Sequence, residues 1–287
     1  MRARRQLLAA SVLTAASLAA ACAKPPAPVQ EVVAVRTAVL PAAPDEAVWN
    51  AAPEHVAKMI PQDLVEPRLL APSTAEVRIR ALTNGETVAF RLNWADTTKS
   101  DTPGPAQMVD ACAVQIPQQN GPQPPAPQMG EIGRPVDVVY WRADWQAIVN
   151  GRGDSIRDLY PNAYVDPYPF NARPLVPGSP EQADMARRYA PARALDNNRS
   201  GPRTAPVEEL VAQGPGTSEP AAPRGSTGRG IWAAGSWMVV IARPWPQDVR
   251  DGQRTSVAFA VWQGSQHEAG ARKMRTGWIP LLAGGAR

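Results

Sequence analysis

Cysteine and histidine are scarce in this chain. Its 287 residues include two of each, too few for a disulfide framework, a zinc finger or a cysteine-ligated iron–sulfur cluster. The sequence also lacks the Cys-x-x-Cys-His motif that attaches a c-type haem. Much metal chemistry is therefore excluded.

Motifs for catalysis are also lacking. His55 and His267 lie outside any Ser or Cys nucleophile motif, and Cys112 falls in an alternating segment where a small buried residue is expected. No glycine-rich phosphate loop follows a strand pattern, and we interpret Gly-Arg-Gly at 151–153 and 228–230 as turns. The sequence predicts a chain that is not an enzyme.

Long helices are disfavoured because 32 residues are proline, roughly twice the usual share. Residues 76–82 and 87–94 alternate polar and apolar side chains around Asn84-Gly85, which predicts a hairpin. Further strands are predicted at 112–116, 136–141, 237–242 and 255–262. The pattern predicts a mainly β protein, an antiparallel β-sandwich with a few short helices and two long ordered loops, at 117–133 and 150–226.

Residues 1–21 have the order of an export signal: three arginines, an apolar stretch and three alanines. Cys22 follows at once, as in bacterial lipoprotein signals where that cysteine is acylated. Cleavage to a soluble periplasmic protein is the alternative. We expect residues 22–44 to be a tether or a first edge strand, and 45–287 to be the folded domain.

Removing the leader takes three arginines and no acidic residue, so the formal net charge falls from +4 to +1. No Lys/Arg-rich block remains, which argues against a nucleic-acid partner. Nine tryptophans against three phenylalanines leave two interpretations open. Exposed indoles could stack sugar rings, or most of the rings could fill the core.

Nine segments in one order carry a more specific signal, and together they cover about 45–282. They are VWNAAP (48–53), FRLNWADTT (90–98), VDACAVQIP (109–117), QMG (128–130), RPVDV (134–138), WRADW (141–145), GRG (228–230), WMVVIARP (237–244) and AFAVWQGS (258–265). This series resembles the haem-binding gamma subunits of periplasmic molybdenum oxidoreductases, the group of ethylbenzene dehydrogenase, dimethylsulfide dehydrogenase and chlorate and selenate reductases.

The resemblance implies one non-covalent haem b in a β-sandwich, with a methionine and a lysine as axial ligands of the iron. The matching positions are Met129 and Lys273. His267 could replace Lys273, and Met108 could replace Met129. Met274 adjoins Lys273, but neighbouring residues on a strand face opposite ways. The propionates should meet arginines or backbone donors, and this arginine-rich chain offers too many candidates to choose.

The resemblance further implies an electron-transfer subunit that catalyses nothing itself. It would relay electrons between the iron–sulfur beta subunit of a molybdopterin enzyme, whose alpha subunit holds the active site, and a periplasmic c-type cytochrome or membrane carrier. The alternative is a haem-free sandwich serving as a carbohydrate-binding or structural envelope lipoprotein, since one fold hosts unrelated functions.

Overall fold

The computed structural model describes residues 30–153, 156–162, 176, 178–189, 199 and 201–285. The predicted export signal, Cys22 and the beginning of the predicted tether lie outside these residues. Within them the chain is built mainly of strands, as predicted. The strands are β1 (Val32–Arg36), β2 (His55–Lys58), β3 (Ile60–Pro61), β4 (Glu76–Thr83), β5 (Thr87–Ala95), β6 (Ala111–Pro117), β7 (Val136–Arg142), β8 (Val207–Ala212), β9 (Glu219–Pro220), β10 (Thr227–Ala233), β11 (Ser236–Pro244), β12 (Arg254–Trp262), β13 (Met274–Arg275) and β14 (Ile279–Gly285).

These strands follow one hydrogen-bonded path, β10-β11-β5-β4-β1-β14-β12-β6-β7-β8-β9. Outside this path, β2 pairs with β4, β13 pairs with β12, and β3 pairs with β13. The path changes layer within β12. Residues 254–257 of that strand pair with β14, whereas residues 258–262 pair with β6. The two layers enclose a core with members on both, including Phe90 of β5 and Phe259 of β12, whose rings meet edge to face at 5.8 Å.

The predicted hairpin is confirmed: β4 and β5 pair antiparallel, and Gly85 takes a φ of +99° in the turn, a conformation that glycine adopts without strain. The strands predicted from alternation lie in β6, β7, β11 and β12. The alternation is informative because side chains on a strand point to opposite faces in turn.

Residues 32–36 correct the prediction of a tether or edge strand. This segment forms β1, which pairs in parallel with β4 on one side and β14 on the other. The fold is therefore a mixed sheet at this point. An apolar run with no clear period is typical of a strand buried on both faces.

The Gly-Arg-Gly motif at 228–230 was wrongly interpreted as a turn, because it lies within β10. A Cβ atom at Gly228 would come within 2.5 Å of a methyl carbon of Val207. A Cβ at Gly230 would come within 2.3 Å of the Trp141 ring. These glycines permit close packing.

The described helices are short. They are α1 (Ala143–Val149), α2 (Ile156–Leu159) and α3 (Pro180–Tyr189), with 3-10 turns at Ala47–Ala51 and Gly264–Gln266. None of the helices in the described ranges combines the length and apolar character needed to cross a membrane. The predicted loop at 150–226 also contains β8 and β9.

Most of the tryptophans are buried. The six buried rings are Trp49, Trp94, Trp141, Trp145, Trp237 and Trp262. The remaining three, Trp232, Trp245 and Trp278, are partly buried. The rings therefore serve mainly as packing groups, which supports the core interpretation of the tryptophan excess.

Candidate cofactor site

A cavity of about 550 Å³ lies on the face of β6, β7, β8 and β12 that is turned away from the core between the layers. Its volume is within the usual range for ligand and cofactor pockets, about 300–1,000 Å³. Loops from several parts of the chain complete the walls, including residues 103–109, 127–129, 215–218 and 268–271.

The two-residue period of the strands creates this cavity. On β6, Ala113 and Gln115 line it, whereas Val114 belongs to the core. On β12, Ala258 and Ala260 line it. The register places Ala260 opposite Ala113 and Ala258 opposite Gln115. The small side chains of Ala113 and Ala260 thus lie next to each other and leave open space above the sheet.

Met129 lies in the loop between β6 and β7 with a φ of +68°, a left-handed conformation that is uncommon for a residue with a side chain. Gly214 donates its N–H to the Met129 carbonyl at 2.8 Å, and Gly130 donates to Ala126 at 2.9 Å. A Cβ at Gly130 would lie 3.0 Å from the Ala212 carbonyl oxygen. Tertiary contacts therefore hold Met129 in a costly backbone conformation, a pattern that concentrates at functional sites.

Lys273 ends the loop that connects β12 to β13. The Trp262 indole donates to the Gly270 carbonyl at 3.0 Å. The Gln62 side-chain amide donates to the Ala271 carbonyl at 3.1 Å, and the Gln62 backbone N–H donates to the Lys273 carbonyl at 2.9 Å. Strand β12 and the segment after β3 together fix the position of this lysine.

The two predicted ligands meet inside the cavity. Although 144 positions separate them in the chain, Lys273 Nζ lies 3.9 Å from Met129 Sδ. A thioether sulfur and a neutral amine nitrogen each carry a lone pair that a metal can accept. The pair and the cavity beside it thus fit a metal-centred cofactor.

The surroundings of Lys273 favour its neutral amine. Burial, assisted by the charge of Arg275, lowers the pKa of Lys273 to about 8. Its Nζ lies 5.1 Å from the centroid of the Trp262 ring. A neutral amine has the free electron pair that a metal ligand requires.

None of the alternatives from the sequence shares the Met129–Lys273 contact. Met108 borders the cavity and is 36% exposed, and His267 is an exposed residue that ends the 3-10 turn at Gly264–Gln266. Met274 is fully buried in the core between the layers, on the opposite face from Lys273. Cys112 is buried in that core as well.

Sequence reasoning left the other lining side chains unassigned. They include the arginines at 142, 199 and 275 and the aromatic pair Tyr140 and Trp262, whose rings meet edge to face at 5.1 Å. In the structure, Tyr140 and Arg142 lie on one face of β7, two positions apart. The period alone gave no reason to expect a cavity on that face.

A pair of buried carboxyl groups lies beside this region. Asp110, directly before β6, accepts N–H hydrogen bonds from Gly264, Ser100 and the Trp237 indole at 2.7–2.9 Å. Burial and the neighbouring charge of Asp110 raise the pKa of Asp96 to about 7. Asp96 therefore keeps its proton to a higher pH than an exposed aspartate does. Its neighbour Asp110 accepts from Gly264, in the segment that leads to Lys273.

Within the parts of the chain that the structure describes, no group of three or more His, Cys, Asp or Glu side chains is placed to bind a metal ion. The donor set at the cavity is instead one thioether and one amine.

Comparison with known proteins defines the family. The model of the ethylbenzene dehydrogenase family matches residues 46–274, and the chain belongs to that family. A curated protein of Haloferax mediterranei, "Putative respiratory nitrate reductase heme subunit ORF7", is 28% identical over 278 residues, which is 93% of this chain and 77% of the relative. These two findings confirm the resemblance to haem-binding gamma subunits.

Solved structures with a similar course of the chain include a family 9 carbohydrate-binding module from Caldicellulosiruptor kristjanssonii. Its glucose complex has 7% identity and a TM-score of 0.39, covering 89% of this chain and 96% of that one. The cellotriose complex has 9% identity and a TM-score of 0.41, covering 88% and 93%.

Proposed function

We propose that this protein binds one haem b between Met129 and Lys273 and serves as an electron-transfer subunit of a periplasmic molybdenum oxidoreductase. The observation that carries the proposal is the 3.9 Å approach of Met129 Sδ to Lys273 Nζ inside a cavity of about 550 Å³. Membership of the family and the haem subunit named among its relatives support it.

When bound, the haem supplies a one-electron iron couple. Met129 contributes a soft, neutral sulfur, which favours the ferrous state and raises the reduction potential. Lys273 binds only as the neutral amine, so its proton must leave when the cofactor enters. Burial of the side chain lowers the cost of losing that proton.

With Met129 and Lys273 both holding the iron, substrates and oxygen would find no open coordination position. Met129 and Lys273 thereby restrict the site to electron exchange, and bond chemistry belongs to another subunit. We propose a molybdopterin alpha subunit as that partner, with an iron–sulfur beta subunit passing electrons to or from this chain. A periplasmic c-type cytochrome or a membrane carrier would be the external partner.

We also propose export to the periplasm through residues 1–21, with Cys22 as a site of lipid attachment. A Cys22→Ser variant expressed with its leader tests the anchor by cell fractionation. Movement from the membrane to the soluble periplasmic fraction supports lipidation. An unchanged distribution contradicts lipidation but leaves the haem proposal intact.

The cofactor is tested by periplasmic expression of the full chain with its leader. We expect a red protein with a sharp Soret band, a low-spin reduced spectrum, and one b-type haem per chain in the pyridine haemochrome assay. A colourless preparation that stays colourless on haemin titration contradicts the proposal. Polysaccharide binding by such a preparation would favour the carbohydrate-binding alternative.

Two variants test the ligands. Met129→Ala removes the sulfur, so we expect a lower reduction potential and carbon monoxide binding to the reduced protein. Lys273→Ala removes the amine, so we expect weaker retention of haem. Met108→Ala and His267→Ala are the matched controls, and both should keep the parental spectrum. Unchanged spectra in the first two variants would place the ligands elsewhere.

A further inference from the structure

Three arginines among the described residues line the cavity, and two of them have carboxylate partners. Arg142 forms two hydrogen bonds to Asp144, at 2.9 and 2.7 Å. Arg199 lies 3.2 Å from a Glu208 oxygen. Their charges are largely neutralised within the protein.

Arg275 differs from these two. Arg275 is 8% exposed, and its Nε is buried without a hydrogen-bond partner. Its guanidinium makes no hydrogen bond or salt bridge with the part of the chain that the structure describes. Asp63 is the carboxylate whose charge acts on it. A buried cation without a hydrogen-bonding partner is costly, so this position favours an anionic ligand.

The strand register directs Arg275 into the cavity. Arg275 pairs with Ala260, which lines the cavity, whereas its neighbour Met274 pairs with Val261 of the core. Lys273 and Arg275, two positions apart, both line the same site. An anion held by Arg275 would therefore belong to the same ligand that Lys273 contacts.

We propose that Arg275 is the cavity residue that binds a carboxylate of the cofactor, a haem propionate. This inference rests on the proposed function. A guanidinium presents a planar fork of N–H donors that matches the two oxygens of a carboxylate. The assignment selects one residue from the many arginines that the sequence left as candidates.

The experiment compares haemin with iron protoporphyrin IX dimethyl ester, which lacks both carboxylates, in titrations of the apoprotein. A charge-assisted hydrogen bond contributes enough that wild-type protein should bind haemin about 10- to 100-fold more tightly than the ester. In Arg275→Gln the preference should fall to about threefold or less. Arg272→Gln removes the same charge from a residue whose Nε is also buried without a hydrogen-bond partner but which does not line the cavity, and this variant should keep the full preference.

A second readout is the reduction potential of the haemin-loaded proteins. Loss of the Arg275 cation leaves a carboxylate unneutralised near the iron, so the potential of Arg275→Gln should fall further than that of Arg272→Gln. Equal potentials in the two variants would contradict this role for Arg275.

The outcomes separate the two proposals. If wild-type protein binds haemin and the ester equally, or if Arg275→Gln retains the preference, the role of Arg275 is wrong while the haem function stands. The wild-type comparison is decisive even if the variant fails to fold. If wild-type protein binds neither porphyrin, both proposals are overturned.

Discussion

The two faces of β12 show how one strand serves both the fold and the site. Phe259 is 2% exposed, and its ring packs against Phe90 of the other layer. Its neighbours Ala258 and Ala260 line the cavity, which Phe259 also borders. The phenyl ring fills the core face, and the two alanines leave space on the cavity face. The comparison teaches that stability and cofactor binding depend on alternate residues of the same segment.

The largest expected effect comes from breaking the core face. Phe259→Ala removes a buried ring at the interface of the two layers and should lower the free energy of unfolding by about 3–5 kcal/mol. Urea denaturation of the apoprotein measures the loss. A change below about 1 kcal/mol would show that the ring is not part of a tightly packed core.

A substitution at Ala260, next to Phe259, should affect haemin binding more than stability. Ala260→Leu places a larger side chain on the cavity floor, where the open space accepts it, so the free energy of unfolding should change by about 0.5 kcal/mol or less. Haemin affinity should fall at least about tenfold because the side chain occupies the binding volume. A large loss of stability with unchanged haemin affinity would contradict the separation of the two faces.

Asp96 tests the region between the two faces. Its neighbour Asp110 accepts hydrogen bonds from the core residue Trp237 and from the backbone of Gly264. The pKa of Asp96 is raised to about 7 in the folded protein, against about 3.9 in an unfolded chain. Between these values the folded state keeps a proton that the unfolded state loses. Stability should therefore fall as pH rises, by up to about 1.4 kcal/mol per pH unit, and level off above about pH 7.

Asp96→Asn should remove this part of the pH dependence, because an amide does not titrate in this range. Asp45→Asn changes an exposed carboxylate and should retain the wild-type slope. Urea denaturation at several pH values across the interval measures both. Parallel curves for Asp96→Asn and wild type would show that Asp96 does not hold the proton.

The part of the fold predicted from sequence is the part encoded locally. Alternation identified β4 and β5, and Asn84-Gly85 identified the turn between them, because a two-residue period and a tight turn involve only adjacent residues. Residues 32–36 show no two-residue period that would identify β1. Its partner strands, β4 and β14, lie 45 or more positions away in the chain. The glycines of β10 resembled a turn because the Trp141 ring that requires them is distant in sequence.

The candidate site, too, was only partly predictable from the sequence. Met129 and Lys273 came from resemblance to a family, since a methionine in a loop and a lysine near a strand have no local pattern of their own. Arg275 could not be selected from 26 arginines without knowing which of them lines the cavity and which have carboxylate partners.

The sequence by itself determined the mainly β character, the principal strands and the family of the protein, because alternation, turn residues and ordered motifs are properties of neighbouring positions. The tertiary structure alone decided that a sulfur and an amine separated by 144 residues lie 3.9 Å apart. It also decided that the small residues of β6 and β12 share one floor. Those relations depend on which strands pair and in which register, and pairing is settled by contacts between distant segments.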